Sequence, residues 1–109
     1  MSVIHYDKLV RDRIPEIIAQ SGRSCQTRVL TEAEFLERAD AKLDEELREY
    51  QESKSPEELA DLLEVIYAAA AARGVSAEAL DVLRRQKAEK RGRFEKRLLL
   101  IQVSDEETR

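Results

Sequence analysis

Apolar residues recur along this chain at the three-to-four-residue interval of a helix, not at the two-residue interval of a strand. The clearest stretch carries Leu36, Ala39, Leu43, Leu47 and Tyr50. Thr31 and Glu34 precede it in the T-x-x-E spacing that caps a helix start, so this helix begins at Thr31. A shorter helix begins at Ile14-Pro15 and runs to about Ser21, where Gly22 stops it. A third opens at Ser55-Pro56, with Ser as cap and Pro in the first turn, and ends at Arg73-Gly74. A fourth is capped by Ser76 and ends at Arg91-Gly92. Only Gln51 to Lys54 separates the second helix from the third, and so short a connection makes antiparallel neighbours. Two segments, 27–30 and 97–103, are extended in character and pair as a short β-ribbon in this reading. The last residues, Asp105 to Arg109, are expected to fray. The expected fold is all-α, a helical bundle around a central antiparallel hairpin, in one domain spanning 1–109.

That hairpin decides which carboxylates meet. Glu46 and Glu49 are three apart and share a helical face, as do Glu58 and Asp61. In an antiparallel pair, facing positions sum to a constant. Glu49 level with Glu58 therefore sets Glu46 level with Asp61. At about 100° per residue, Glu46 falls on the edge of the stripe of Ala39, Leu43 and Tyr50. Glu58 and Asp61 continue the strip of Val65, Ala68, Ala69 and Ala72. Carboxylates crowded on an apolar strip repel by a few kcal/mol per close pair at an effective dielectric of ~20. Protonation or a divalent cation relieves this. Oxygen-only ligands select a hard ion, Mg²⁺ with Mn²⁺ as the alternative, and Mg²⁺ keeps positions open for water and phosphate. Glu58 also fits a plainer role as partner of cap Ser55, and both third-helix acids suit the positive end of their helix.

Composition narrows the choices. With 109 residues the chain makes one modest core. Charged residues are 39% and hydrophobic ones 42%, which is a globular balance. The net charge of -4 gives no reason to expect bulk nucleic-acid binding. One Cys and one His rule out an internal disulfide and a Cys/His zinc site; a Cys25–His5 nucleophilic pair has no local support. No apolar run reaches the ~18 residues of a membrane span. The start, MSVIHYDKLVRDR, lacks the apolar stretch of a secretory signal, so a cytoplasmic protein is expected.

Glu45, Glu46 and Glu49 in E-E-x-x-E, followed by Glu58 and Asp61 in E-x-x-D, resemble the signature of the all-α NTP pyrophosphatase (MazG-like) superfamily. The opening Tyr6-Asp7-Lys8-Leu9-Val10-Arg11-Asp12-Arg13-Ile14-Pro15 resembles the start of its compact branch, described as phosphoribosyl-ATP pyrophosphohydrolase-like or house-cleaning enzymes. Lys87, Lys90, Arg91, Gly92 and Phe94 resemble that branch's end. Only 8 residues separate Glu49 from Glu58, fewer than in many members, so the site sits near the turn and likeness to the histidine-pathway enzymes is weaker.

The resemblance implies hydrolysis of a nucleoside triphosphate to NMP and pyrophosphate. Glu46, Glu49, Glu58 and Asp61 then hold Mg²⁺, and Glu45 or one of the ligands, Glu46 among them, orients or deprotonates water. Lys87, Lys90, Arg91 and Phe94 extend the fourth helix's face of Leu80 and Leu83 and would line a phosphate cleft, although basic residues also suit a helix C-terminus. Lys8 and Arg11 reach phosphate or pair with acids. Lys42 contacts phosphate or neutralises Glu46. Tyr6 or Phe94 stacks on a base or fills the core. Noncanonical nucleotides are the expected substrates, with phosphoribosyl-ATP as the alternative. The third helix is apolar around much of its circumference, so a homodimer or homotetramer is expected. A non-enzymatic helical interaction module is the rival reading; it needs no clustered carboxylates.

Overall fold

A computed structural model describes residues 2–105. Four helices and no strand occur among them: α1 (Ile14–Gln20), α2 (Glu32–Ser53), α3 (Pro56–Ala72) and α4 (Ala77–Arg91). Each of the three long helices starts on a hydroxyl cap. Thr31 Oγ1 accepts the Glu34 N–H at 3.2 Å, and the Glu34 carboxylate accepts the Thr31 N–H at 3.0 Å. The Arg28 guanidinium donates to both Glu34 oxygens at 3.0 and 2.8 Å. That guanidinium, helped by the Thr31 N–H, holds the Glu34 carboxyl at about 2. Ser55 and Ser76 accept the N–H of Glu58 and Ala79 in the same way. Thr31→Ala is expected to lower stability by about 1 kcal/mol. A urea denaturation midpoint checks this, and an unchanged midpoint would show that the α2 start is held by other contacts.

The break between α2 and α3 is shorter than the sequence reading gave. Gln51, Glu52 and Ser53 contain no helix breaker, and α2 runs through them. Lys54 ends it in the left-handed region at φ 58°, its N–H donating to the Tyr50 carbonyl. Only Lys54 and Ser55 lie between the two helices.

The two helices lie against each other over much of their length. Ala39 and Ala69 are the buried apolar residues of the described chain, and small side chains let helix axes approach closely. At the end far from the turn, Arg73 donates to both Asp40 oxygens at 3.2 and 3.1 Å. Beyond this pair the packing is sparse. Helix α4 touches α3 and not α2, and α1 packs on no other helix.

The chain is therefore extended. Its radius of gyration is 19.9 Å, against about 13 Å for a compact domain of this size. No large side chain among the described residues is fully buried. Leu59, Leu63 and Ile66 face solvent along α3, as do Val82 and Leu83 on α4.

The expected β-ribbon is not present. Segments 27–30 and 97–103 stay unpaired, and Val29 and the apolar tail residues are exposed. A two-stranded ribbon is marginal on its own, and of the two segments only Leu30 is half-buried while the rest stays exposed. Of the tail expected to fray, residues 106–109 lie outside the described residues. No helix among the described residues is long and apolar enough to cross a membrane.

Candidate metal centre

Side by side, α2 and α3 place Glu46, Glu58 and Asp61 with one carboxylate oxygen of each inside 4.8 Å of the others. Glu45, Glu46 and Glu49 form a second group within the same limit. Glu46 belongs to both. The arrangement follows from one-turn spacings on each helix and the two-residue connection. Of the four residues expected to hold a metal, Glu46, Glu58 and Asp61 form one triplet, while Glu49 groups with Glu46 and Glu45 in the other, so the two triplets hinge on Glu46 and take in Glu45 as well.

Glu46 is only 7% exposed, while Glu58 and Asp61 are half-buried. The Oε2 atoms of Glu46 and Glu58 are buried with no hydrogen-bond partner. An unpartnered buried acceptor costs on the order of 1–3 kcal/mol, more when charged. At Glu46, burial and the neighbouring Glu49 and Asp61 charges push the carboxyl above its ordinary range, although Lys42 opposes this from 3.6 Å. Burial also raises Glu58, reinforced by the charges of Glu49 and Asp61. A group of acids so arranged gains by taking up protons or a cation.

Glu45 is different. Lys8 donates to one of its oxygens at 3.1 Å and Lys42 to the other at 3.0 Å. Burial works against its ionisation, yet the two ammonium groups outweigh burial and hold its carboxyl below the usual range. The Lys8 ammonium is raised in turn, chiefly by its bond to Glu45.

The N-terminal segment crosses this acidic region as a strap. Arg38 of α2 donates to the Asp7 carbonyl, Lys8 reaches Glu45, and Arg11 donates to Asp61 at 2.8 Å. A hollow of about 120 Å³ lies between strap and α2, lined by Asp7, Lys8, Leu9, Arg38, Lys42 and Glu45. Three cations around one hollow beside an acid cluster suit a phosphate chain. A larger hollow of about 330 Å³ sits near Phe35 and Gly74 at the opposite end of the pair. It carries one carboxylate, Glu32, and no cation.

Lys8, Arg11 and Lys42 are thus beside the carboxylates. Lys87, Lys90, Arg91 and Phe94 are not. All four are exposed, and among the described residues none makes a hydrogen bond or ion pair with the α2–α3 acids. Arg38 joins Lys8 and Lys42 and was not among the expected cations. Its signal was present, because Arg38, Lys42 and Glu46 repeat at intervals of four along α2.

No known family's model matches this chain, and no solved structure matches it. A protein of Mycolicibacterium smegmatis, described only as uncharacterized, is 55% identical over 42 residues, which are 38% of this chain and 43% of that protein. The chain therefore spans less than half the length of that curated relative.

Proposed function

We propose that this chain is a Mg²⁺-dependent nucleoside triphosphate pyrophosphohydrolase of the all-α, MazG-like kind, with Mn²⁺ as the alternative ion. It would cleave between the α and β phosphates and release NMP and pyrophosphate. Noncanonical nucleotides of the cytoplasmic pool are the favoured substrates, and phosphoribosyl-ATP is the alternative. The observation that supports this best is Glu46, nine-tenths buried with an unpartnered oxygen among Glu49, Glu58 and Asp61. The donor set is oxygen alone, which fits Mg²⁺.

The antiparallel hairpin of α2 and α3 is the framework in this reading. Glu46, Glu58 and Asp61 would hold one ion, and Glu49 would share it or a second. A divalent ion bound there supplies charge neutralisation at the phosphates and a more acidic water. Lys8, Arg38 and Lys42 surround the adjoining hollow and would bind phosphate oxygens. Glu45 has both oxygens engaged by lysines, so its basicity is reduced; it would orient the attacking water rather than remove its proton. A panel of nucleoside triphosphates with Mg²⁺, scored for pyrophosphate against orthophosphate, tests the activity. Orthophosphate alone, or no release from any nucleotide, would reject it.

The second element of the proposal is a homodimer or homotetramer. Phe94, Leu98, Leu99, Leu100, Ile101 and Val103 are each at least 79% exposed. Together they present on the order of 800 Å², about what one partner contributes to a standard interface. Arg93, Lys96 and Arg97 beside them match in charge the exposed acids of the α2–α3 turn of another copy, Glu52 and Glu57. The exposed α3 face of Leu59, Leu63 and Ile66 is the apolar surface such a tail would cover. Sedimentation equilibrium is expected to show a dimer or tetramer, and a chain ending at Gly92 is expected to shift toward monomer. A monomeric full chain at working concentration would reject this element. The same exposed surface is what a purely structural interaction module would use; metal dependence separates the two readings.

A further inference from the structure

The acidic cluster is already partly answered by the chain's own cations: Lys42 stands 3.6 Å from Glu46, and Arg11, closer at 2.8 Å, occupies Asp61, so both compete with a metal and Arg11 does so at shorter range. Arg11 donates from Nη2 to Asp61 Oδ1 at 2.8 Å. Asp61 is also one of the three acids that converge with Glu46 and Glu58. A guanidinium cannot coordinate a cation, and two positive groups on one carboxylate repel. A guanidinium is, however, a bidentate partner for phosphate.

We infer that Arg11 exchanges partners: it neutralises Asp61 while the site lacks a cation, and it leaves Asp61 for a phosphate oxygen of the substrate when the cation enters. This rests on the metal-site reading above. The strap is built for such a movement. Its backbone is fixed on both sides of Arg11, by Arg38 on the Asp7 carbonyl and by the Ile14 N–H donating to the Arg11 carbonyl at 3.1 Å. The Arg11 side chain is more than half exposed and makes one ion pair, with Asp61. It can swing without disturbing the segment that carries it. The hollow lined by Lys8, Arg38 and Lys42 lies along the same strap, so the released guanidinium would join three cations already facing it. Lys8 differs in its partner: it pairs with Glu45, a member of the Glu45–Glu46–Glu49 group and not of the Glu46–Glu58–Asp61 triplet that Arg11 touches.

The exchange predicts effects of opposite sign from one substitution. In Arg11→Met, Mg²⁺ alone should bind about two- to fivefold more tightly, the scale of one exposed ion pair. The Mg²⁺ complex of an α,β-methylene nucleoside triphosphate should bind about tenfold or more weakly, the scale of a lost charged hydrogen bond. A merely structural arginine would weaken both. Arg11→Lys keeps the charge but loses the fork, so its Mg²⁺ affinity should stay near that of the unsubstituted chain while nucleotide affinity falls. Arg13→Met, whose parent residue pairs with Glu16, should change neither. Isothermal titration of the full chain reads all four. Equal or weaker Mg²⁺ binding by Arg11→Met, or unchanged nucleotide affinity, would overturn the exchange while leaving the metal site standing. No Mg²⁺ binding by any form, Glu46→Gln included, would overturn the exchange and the metal site together.

Discussion

Glu46→Gln is expected to cut Mg²⁺-dependent pyrophosphate release more than a hundredfold while making the metal-free protein more stable. The first effect follows from its position in both carboxylate groups. Groups that only support a ligand are worth about 10–100-fold, so a shared ligand is worth more. The second follows from burial. Glu46 has a buried oxygen with no partner, on a carboxyl that burial and the neighbouring acids make costly to ionise. The amide removes the charge, and its NH₂ finds acceptors in Glu49 and Asp61, for a gain of about 1 kcal/mol. Stability gained and activity lost in one variant is the signature of a site strained for function. Steady-state release assays and thermal melting read the two effects. Loss of both would make Glu46 an ordinary structural residue.

Mg²⁺ itself should stabilise the chain, and by more as pH rises. Glu46 and Glu58 hold protons more tightly in the folded chain than in the unfolded one. Between the ordinary glutamate value of ~4.3 and the raised folded values, the native state binds the extra protons. Metal-free stability from these two groups is therefore full below that interval and is lost as pH rises through it. Mg²⁺ competes with those protons and supplies the missing charge. At a hundredfold over its dissociation constant it should add about 2.7 kcal/mol, a rise of about 10 °C or more in Tm. The rise should be large at pH 8 and small at pH 5. Glu34 and Glu45 titrate in the opposite sense through their own partners, so Glu46→Gln serves as the reference. Melting curves from pH 5 to 8, with and without Mg²⁺, check this. A gain independent of pH, or one that persists in Glu46→Gln, would place the ion elsewhere.

Much of this arrangement was legible in the sequence because it is local. Thr31, Ser55 and Ser76 each cap the helix that their side chains predicted. The facing of Glu46 with Asp61 needed only a one-turn spacing on each helix and a short connection. What lay outside reach was long-range. Nothing in the periodicity says that Arg11 finds Asp61 fifty residues away, or that Lys8 finds Glu45. The fourth helix shows the same limit from the other side. Its stripe of Leu80, Leu83 and Lys87 suggested a cleft, yet α4 meets only α3, and Lys87, Lys90 and Arg91 face solvent. The extended segments 27–30 and 97–103 have strand-like composition, but pairing requires a surface that a sparse single chain does not provide.

In the proposed function the acids between α2 and α3 share a divalent cation. Electron paramagnetic resonance of Mn²⁺ tests it directly, because the free hydrated ion gives a signal that bound ion loses. Titrating Mn²⁺ into the protein should deplete the free signal by at least one ion per chain, Mg²⁺ should restore it, and Asp61→Asn and Glu46→Gln should abolish the uptake. Equal uptake by the unsubstituted chain and both variants, or no uptake by any of them, would contradict the account.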